Sequence, residues 1–107
     1  MKSKEEILKT EYSTEFDELR KNRMLMSYFK YGPMSINYKE GLGNAMESLE
    51  VCLEAYRETG NTEKLVDAAN YLMIEFLYPK HKNAHFKGTD NEKKSFVGMS
   101  IKEIENF

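Results

Sequence analysis

The sequence predicts an all-α protein, a small bundle of about three main helices followed by a basic, irregular C-terminal segment. Apolar residues recur at helical spacing in three stretches of the 107-residue chain. Glycine, proline or asparagine stands where those stretches end, and no stretch alternates apolar and polar residues as a half-buried strand would. We expect one domain over residues 1–107, because domains commonly contain about 100–200 residues.

The N-terminal part of the sequence contains a helix start and a longer helical stretch. Ser3 and Glu6 match the capping box, in which a serine side chain and a glutamate side chain satisfy each other's backbone amides. The stretch from about Glu15 to Lys30 has the stronger helical pattern. It ends at KYGP, where Gly32 suits the left-handed residue after a helix and the proline cannot continue it.

Two further helices are predicted on either side of the turn ETGNT. The second main helix begins after Asn44, an N-cap residue with Glu47 three positions later, and runs to about Glu58. The segment before it, MSINYKEGLG, is predicted to be a loop with two glycines. The third helix extends from Thr62 to Tyr78. The short turn makes the second and third helices antiparallel neighbours.

The second and third helices each have two distinct faces at about 100° per residue. The second helix has an apolar face of Ala45, Leu49, Cys52 and Tyr56, opposite a glutamate face of Glu47, Glu50, Glu54 and Glu58. The third helix has an apolar face of Leu65, Ala69, Leu72 and Phe76, opposite Glu63, Asp67, Asn70 and Ile74. Because the core of so short a chain is modest, we expect a homo-oligomer that associates through the edge formed by Ile74, Tyr71 and Tyr78.

Composition excludes several classes of function. The 16 basic and 18 acidic residues give a net charge of -2, which favours neither nucleic acid nor a membrane as a general partner. The single Cys52 cannot form an internal disulfide, so nothing indicates secretion. We expect a cytoplasmic protein without a membrane span, because no run approaches about 18 apolar residues.

Acidic side chains form the first candidate site. The glutamate face brings like charges one turn apart, and each such pair is destabilising by about 0.2–0.5 kcal/mol. A hard cation such as Mg²⁺ would offset that repulsion, and Glu63, Asp67 and Asn70 add further oxygen ligands across the turn. A structural explanation is equally open: Glu47 suits the N-cap, and Asp67 and Asn70 suit a hydrogen-bond network with another helix.

The acidic spacing resembles a known family. ESLE, with Glu47 and Glu50, and EKLVDAAN, with Glu63 and Asp67, resemble the motifs of all-α nucleotide pyrophosphohydrolases of the MazG and dimeric dUTPase type, over residues 44–76. The resemblance implies a Mg²⁺-dependent hydrolysis of a nucleoside triphosphate between its α and β phosphates. Lys64 departs from the family pattern, because it stands where the second motif has a glutamate.

Roles for individual residues follow from that resemblance. It implies that four carboxylates hold Mg²⁺ and that Glu50 and Asp67 are the catalytic ones among them. The metal ligands are Glu47, Glu50, Glu63 and Asp67, and the ligand contacts are Asn70, Lys30, His85 and Lys87. The lysine ammonium groups and the imidazole N–H of His85 suit phosphates.

A non-catalytic function is the alternative, and Lys64 favours it. KYGPMSINY, TGNTEKLVDAANYLMIEF and HFKGTD resemble stretches of uncharacterised small phage and prophage proteins of Gram-positive hosts. This resemblance implies a phage origin and thus the host cytoplasm. The alternative function is a non-catalytic protein that inhibits a host defence factor or sequesters a nucleotide signal. RKNRMLMSYFKYG mixes cations and aromatic rings, as a base-stacking or phosphate site does, although an amphipathic helix has the same mixture. A purely structural or regulatory helical oligomer remains a third possibility.

Overall fold

The computed structural model describes residues 1–89, and it confirms the all-α prediction. A single π-helical turn at Ser35–Lys39 accompanies four α-helices in this part of the chain. The α-helices are α1 (Lys4–Glu11), α2 (Thr14–Tyr31), α3 (Ala45–Thr59) and α4 (Glu63–Leu77). Residues 79–89 are irregular, as predicted for the basic C-terminal segment. Ser100 and Glu103 match a capping box and predict one last short helix over IKEIENF, which lies outside the described residues. None of the described helices has the length and apolar character needed to cross a membrane.

The chain divides into two compact units. Residues Thr14–Lys82 form the larger unit, which contains α2, the π-helical turn, α3 and α4. The other unit comprises Met1–Ser13 together with Asn83 and the described residues that follow it. Within it, α1 begins at the predicted capping box, since Ser3 Oγ accepts from the Glu6 amide at 3.2 Å. The prediction of a single domain stays a prediction.

The helix ends in the larger unit follow the chemistry of their terminal residues. Gly32 has a φ of +82° and its N–H donates to the Tyr28 carbonyl at 2.8 Å, which closes α2. Asn44 Oδ1 accepts from the Glu47 amide at 3.1 Å and begins α3. Gly60, with a φ of +71°, ends α3 in the left-handed region that glycine adopts without steric penalty. These predicted helix ends are confirmed to within a residue.

The core of the larger unit lies between α3 and α4. Leu49, Cys52 and Ala68 are buried together, and Leu53 and Tyr71 pack against them. The apolar face predicted for α3 therefore faces α4. The glutamate face lies on the other side of α3 and is exposed.

The face of α4 that is buried is not the one that the helical wheel indicates. Asn70 and Ile74, from the mixed polar face, are each only 4% exposed, whereas Leu72 and Phe76 are 54% and 70% exposed. The polar face turns inward because α2 supplies partners for its polar atoms. The predicted self-association edge is therefore wrong in one respect: Ile74 is buried within the chain and offers no free surface.

The segment between α2 and α3, predicted to be a loop, contains the π-helical turn. Gly43 N–H donates to the Asn37 carbonyl at 2.7 Å, and Lys80 Nζ donates to the Gly43 carbonyl at 2.7 Å. The Tyr38 ring lies so close to Gly43 that a Cβ there would be 2.7 Å from Tyr38 Cε1. Any side chain at position 43 would therefore require the Tyr38 ring to move. The Lys80 hydrogen bond links this segment to the residues that follow α4.

Candidate functional site

The contact between α2 and α4 is built around an ion pair. Arg23 Nε donates to Asp67 Oδ1 at 2.9 Å, and Arg23 Nη2 donates to Asp67 Oδ2 at 3.0 Å. The hydrogen bond to Asp67 is the main cause that raises the pKa of the Arg23 guanidinium, against a smaller opposing effect of burial. Glu63 Oε1 lies 3.8 Å from Arg23 Nη2. Both carboxylate oxygens of Asp67 are thus engaged by a two-pronged guanidinium, the strongest geometry for such a pair.

Asn70 joins the same two helices one turn further along α4. Its Nδ2 donates to the Arg20 carbonyl at 3.0 Å, and its Oδ1 accepts from Arg20 Nη1 at 3.3 Å. The Arg20 guanidinium also contacts Met73 Sδ at 3.1 Å and Asp17 Oδ1 at 3.1 Å. The buried amide is therefore hydrogen-bonded on both sides, as burial of a polar group requires. The structural explanation left open by the sequence accounts for Asp67 and Asn70 without a ligand.

A pocket of about 540 Å³ opens beside this ion pair. Its walls come from the C-terminal half of α2, the segment after Gly32, and α4. This volume lies within the range of about 300–1,000 Å³ that is usual for small-molecule sites. The side chains that give it chemical character are Tyr31, Tyr38 and Tyr71, the cations Arg23 and Lys30, and the methionines Met24, Met26 and Met34.

Burial changes the acidity of two of these tyrosines. Loss of solvent raises the pKa of Tyr71, with the nearby Cys52 adding to the shift and a hydrogen bond with Ser48 opposing it. Loss of solvent is also the main cause that raises the pKa of Tyr38. The Cys52 thiol behaves alike, because burial raises its pKa. All three groups are therefore held in their neutral forms in the folded chain.

We expect stability to fall as the pH rises from about 9 to above 10. The unfolded chain loses these protons near the ordinary values of 9.0 for Cys52 and 10.0 for Tyr71, whereas the folded chain retains them to higher pH. Ionisation therefore favours unfolding in that range. Urea unfolding at a series of pH values measures the slope, and Tyr71→Phe should flatten it while Tyr28→Phe, at an exposed site, should not. An unchanged slope in Tyr71→Phe would contradict the assignment.

The predicted metal ligands are distributed over different surfaces. Glu47 and Glu50 border a shallow depression on α3, and Glu63 is 48% exposed at the start of α4. Asp67 lines the pocket but is paired with Arg23. Among residues 1–89, no three acidic, histidine or cysteine side chains form a group that could hold a metal ion. These side chains do not fit a Mg²⁺ site as they stand, and Mg²⁺ binding stays a prediction.

The predicted phosphate contacts belong to both units. Lys30 lines the pocket, and its side chain is exposed. His85 and Lys87 belong to the other unit, where both are exposed and His85 Nδ1 lies 2.8 Å from the Asn83 carbonyl. Of these three side chains, Lys30 is the one among the residues that line the pocket, within residues 1–89. Contact of His85 and Lys87 with phosphate stays a prediction.

Sequence reasoning missed the partners of the polar pair on α4. Arg20 and Arg23 are three residues apart, as are Asp67 and Asn70, so each pair occupies one helical turn. This equal spacing of two guanidinium donors and two side chains with acceptor oxygens was the available signal for pairing α2 with α4. The tyrosines of the pocket carry no comparable signal, because Tyr38 and Tyr71 are distant in sequence and meet only through the fold.

Comparison of the chain with family models, with curated proteins and with solved structures finds no match.

Proposed function

We propose that this protein binds a nucleotide in the pocket between α2 and α4 and sequesters it without catalysis. The observation that carries the proposal is the lining of that pocket, which combines three tyrosines with Lys30 and the Arg23–Asp67 pair. Aromatic side chains next to a cation are what a planar base joined to a phosphate requires. The function is thus the nucleotide-sequestering alternative rather than the hydrolytic one.

Base stacking is the source of affinity in this proposal. Tyr31 is 70% exposed and offers a free ring face to a base, whereas Tyr38 and Tyr71 are half-buried in the wall of the pocket. Methionines complete the apolar lining and adapt to a ligand's shape. A ring system enclosed by these groups loses its contact with water, and stacking on an aromatic side chain contributes about 1–3 kcal/mol per base.

The absence of catalysis in this proposal follows from how Asp67 is used. Both of its oxygens accept hydrogen bonds from Arg23, and Glu47 and Glu50 border a separate depression on α3. A carboxylate already neutralised by a guanidinium is a poor ligand for Mg²⁺, because the metal would have to displace that cation. Lys64, which replaces a carboxylate in the second acidic motif, also favours a protein without catalysis.

Binding and turnover are measured separately. Titration calorimetry with mono-, tri- and cyclic nucleotides of the four common bases, in a chelating buffer, should detect at least one that binds. Tyr31→Ala should weaken this binding by roughly 5- to 150-fold, because a stacking contact is lost. The matched control is Tyr28→Ala, since Tyr28 is an exposed tyrosine of α2 that does not line the pocket.

Pyrophosphate release from nucleoside triphosphates with Mg²⁺ or Mn²⁺ tests the hydrolytic hypothesis. We expect none. Turnover that disappears in Asp67→Ala and Glu50→Ala would establish the enzyme instead. Failure of every nucleotide to bind the folded protein would overturn the sequestering proposal.

A further inference from the structure

The charges around the pocket limit what it can hold. The lining contains two cations, Arg23 and Lys30, and one carboxylate, Asp67. Arg23 and Asp67 neutralise each other through two hydrogen bonds of 2.9 Å and 3.0 Å. Glu63, 3.8 Å from Arg23 Nη2, adds a negative charge and lowers the local net charge further. The side chains that line the pocket therefore offer a ligand one uncompensated positive charge.

Lys30 carries that charge. None of residues 1–89 forms an ion pair with its ammonium group, and the side chain is exposed at the pocket. An ammonium on a flexible stem acts as a point charge and does not impose a two-pronged geometry. It therefore suits one anionic group whose position is set by the rest of the ligand.

Ligands of the nucleotide class differ mainly in how much negative charge they bring. A phosphomonoester carries about −1.5 to −2 at neutral pH, and a triphosphate carries more. A phosphodiester carries a single negative charge. Glu63, beside Arg23, disfavours every additional negative charge, and Lys30 and the paired Arg23 are the cationic side chains that line the pocket within residues 1–89.

We infer that the pocket selects a nucleotide whose only charge is one phosphodiester, such as a cyclic mononucleotide, with Lys30 facing the phosphate. This inference depends on the proposed function and names the ligand class of the same site. The tyrosines take the base, Lys30 takes the diester, and the Arg23–Asp67 pair forms a neutral hydrogen-bonding wall. A nucleoside triphosphate fits this arrangement poorly, which separates the ligand class from that of a pyrophosphohydrolase.

The experiment compares ligands that share a base and differ in charge. Calorimetric titration in a chelating buffer is performed with the nucleoside, its 3′,5′-cyclic monophosphate, its 5′-monophosphate and its 5′-triphosphate, for adenine and for guanine. The cyclic form should bind at least roughly tenfold more tightly than each of the others, because a charge-assisted contact is gained without repulsion. Lys30→Gln should reduce that advantage over the nucleoside to nearly none.

Lys39→Gln is the matched control, since Lys39 is an exposed lysine of the π-helical turn that does not line the pocket. It should keep the preference of the unmodified chain. A monophosphate or triphosphate that binds as tightly as the cyclic form overturns the charge argument but leaves nucleotide binding intact. Equally tight binding of the nucleoside and the cyclic form would also overturn the charge argument while leaving nucleotide binding intact. Failure of all four ligands with both bases overturns this inference and, once the other two bases also fail, the proposed function with it.

Discussion

Asp67→Ala is expected to lower the free energy of unfolding by about 2 kcal/mol, with or without Mg²⁺. The variant leaves the Arg23 guanidinium without its main partner, and charge-assisted hydrogen bonds contribute about 1.5–3 kcal/mol. The upper part of that range is excluded because the Arg23 side chain is 35% exposed and the Asp67 side chain 18% exposed, so water screens the loss. Urea unfolding of both proteins, in the presence of a chelator and then of Mg²⁺, measures the difference.

Two further variants make this result specific. Glu50→Ala removes an exposed carboxylate from α3 and should change the stability by no more than about 0.5 kcal/mol. The double variant Arg23→Ala, Asp67→Ala should be more stable than the sum of the single changes predicts, because neither partner is left alone. Equal stability of Asp67→Ala and the unmodified chain would show that the ion pair contributes nothing. A melting temperature that rises with Mg²⁺ only when Asp67 is present would instead favour the metal site.

Asn70→Ala is expected to be at least as destabilising, by about 2–3 kcal/mol. Asn70 is 4% exposed and bonds to both the backbone and the guanidinium of Arg20. Its removal leaves a void and unsatisfied polar atoms between α2 and α4, and each such atom is worth about 1–3 kcal/mol when buried. Thermal and urea unfolding should agree on the loss, and α2 should exchange its amide hydrogens faster than α3 does.

Asn22→Ala provides the comparison for Asn70→Ala. Asn22 is an exposed amide on α2, so the same change of side chain there should leave the stability nearly unchanged or raise it slightly through helix propensity. Pairing Arg20→Ala with Asn70→Ala should give a coupling energy well above zero. If Asn70→Ala unfolds at the same urea concentration as the unmodified chain, Asn70 does not hold α2 to α4.

Local sequence chemistry predicted the secondary structure well. Asn44, Gly32 and Gly60 fix helix ends through their own side chains or backbone freedom, and such effects are visible in a few consecutive residues. The apolar face of α3 was also predictable, because every position of it is small or apolar and the opposite face is glutamate. The π-helical turn was not, since its residues have no distinctive pattern.

The site itself could be predicted only in part. Asp67 and Asn70 were recognised as polar residues that need partners, but a single helix does not reveal whether a partner is a metal ion, a ligand or another helix. The answer depends on Arg20 and Arg23, about fifty and forty-four residues earlier, and therefore on tertiary packing. The exposure of Leu72 has the same origin. Because the polar face of α4 packs against α2, Leu72 on the opposite face is exposed to solvent.

The buried position of Cys52 has a practical consequence. It is the single cysteine of the sequence, and it lies in the core between α3 and α4 with its thiol held protonated by burial. We expect a thiol reagent to react with it when these two helices separate. The rate of alkylation therefore reports the free energy of that one opening event, and no cysteine needs to be introduced to measure it. Labelling kinetics can thus distinguish a variant that loosens the α3–α4 contact from one that releases α2 alone.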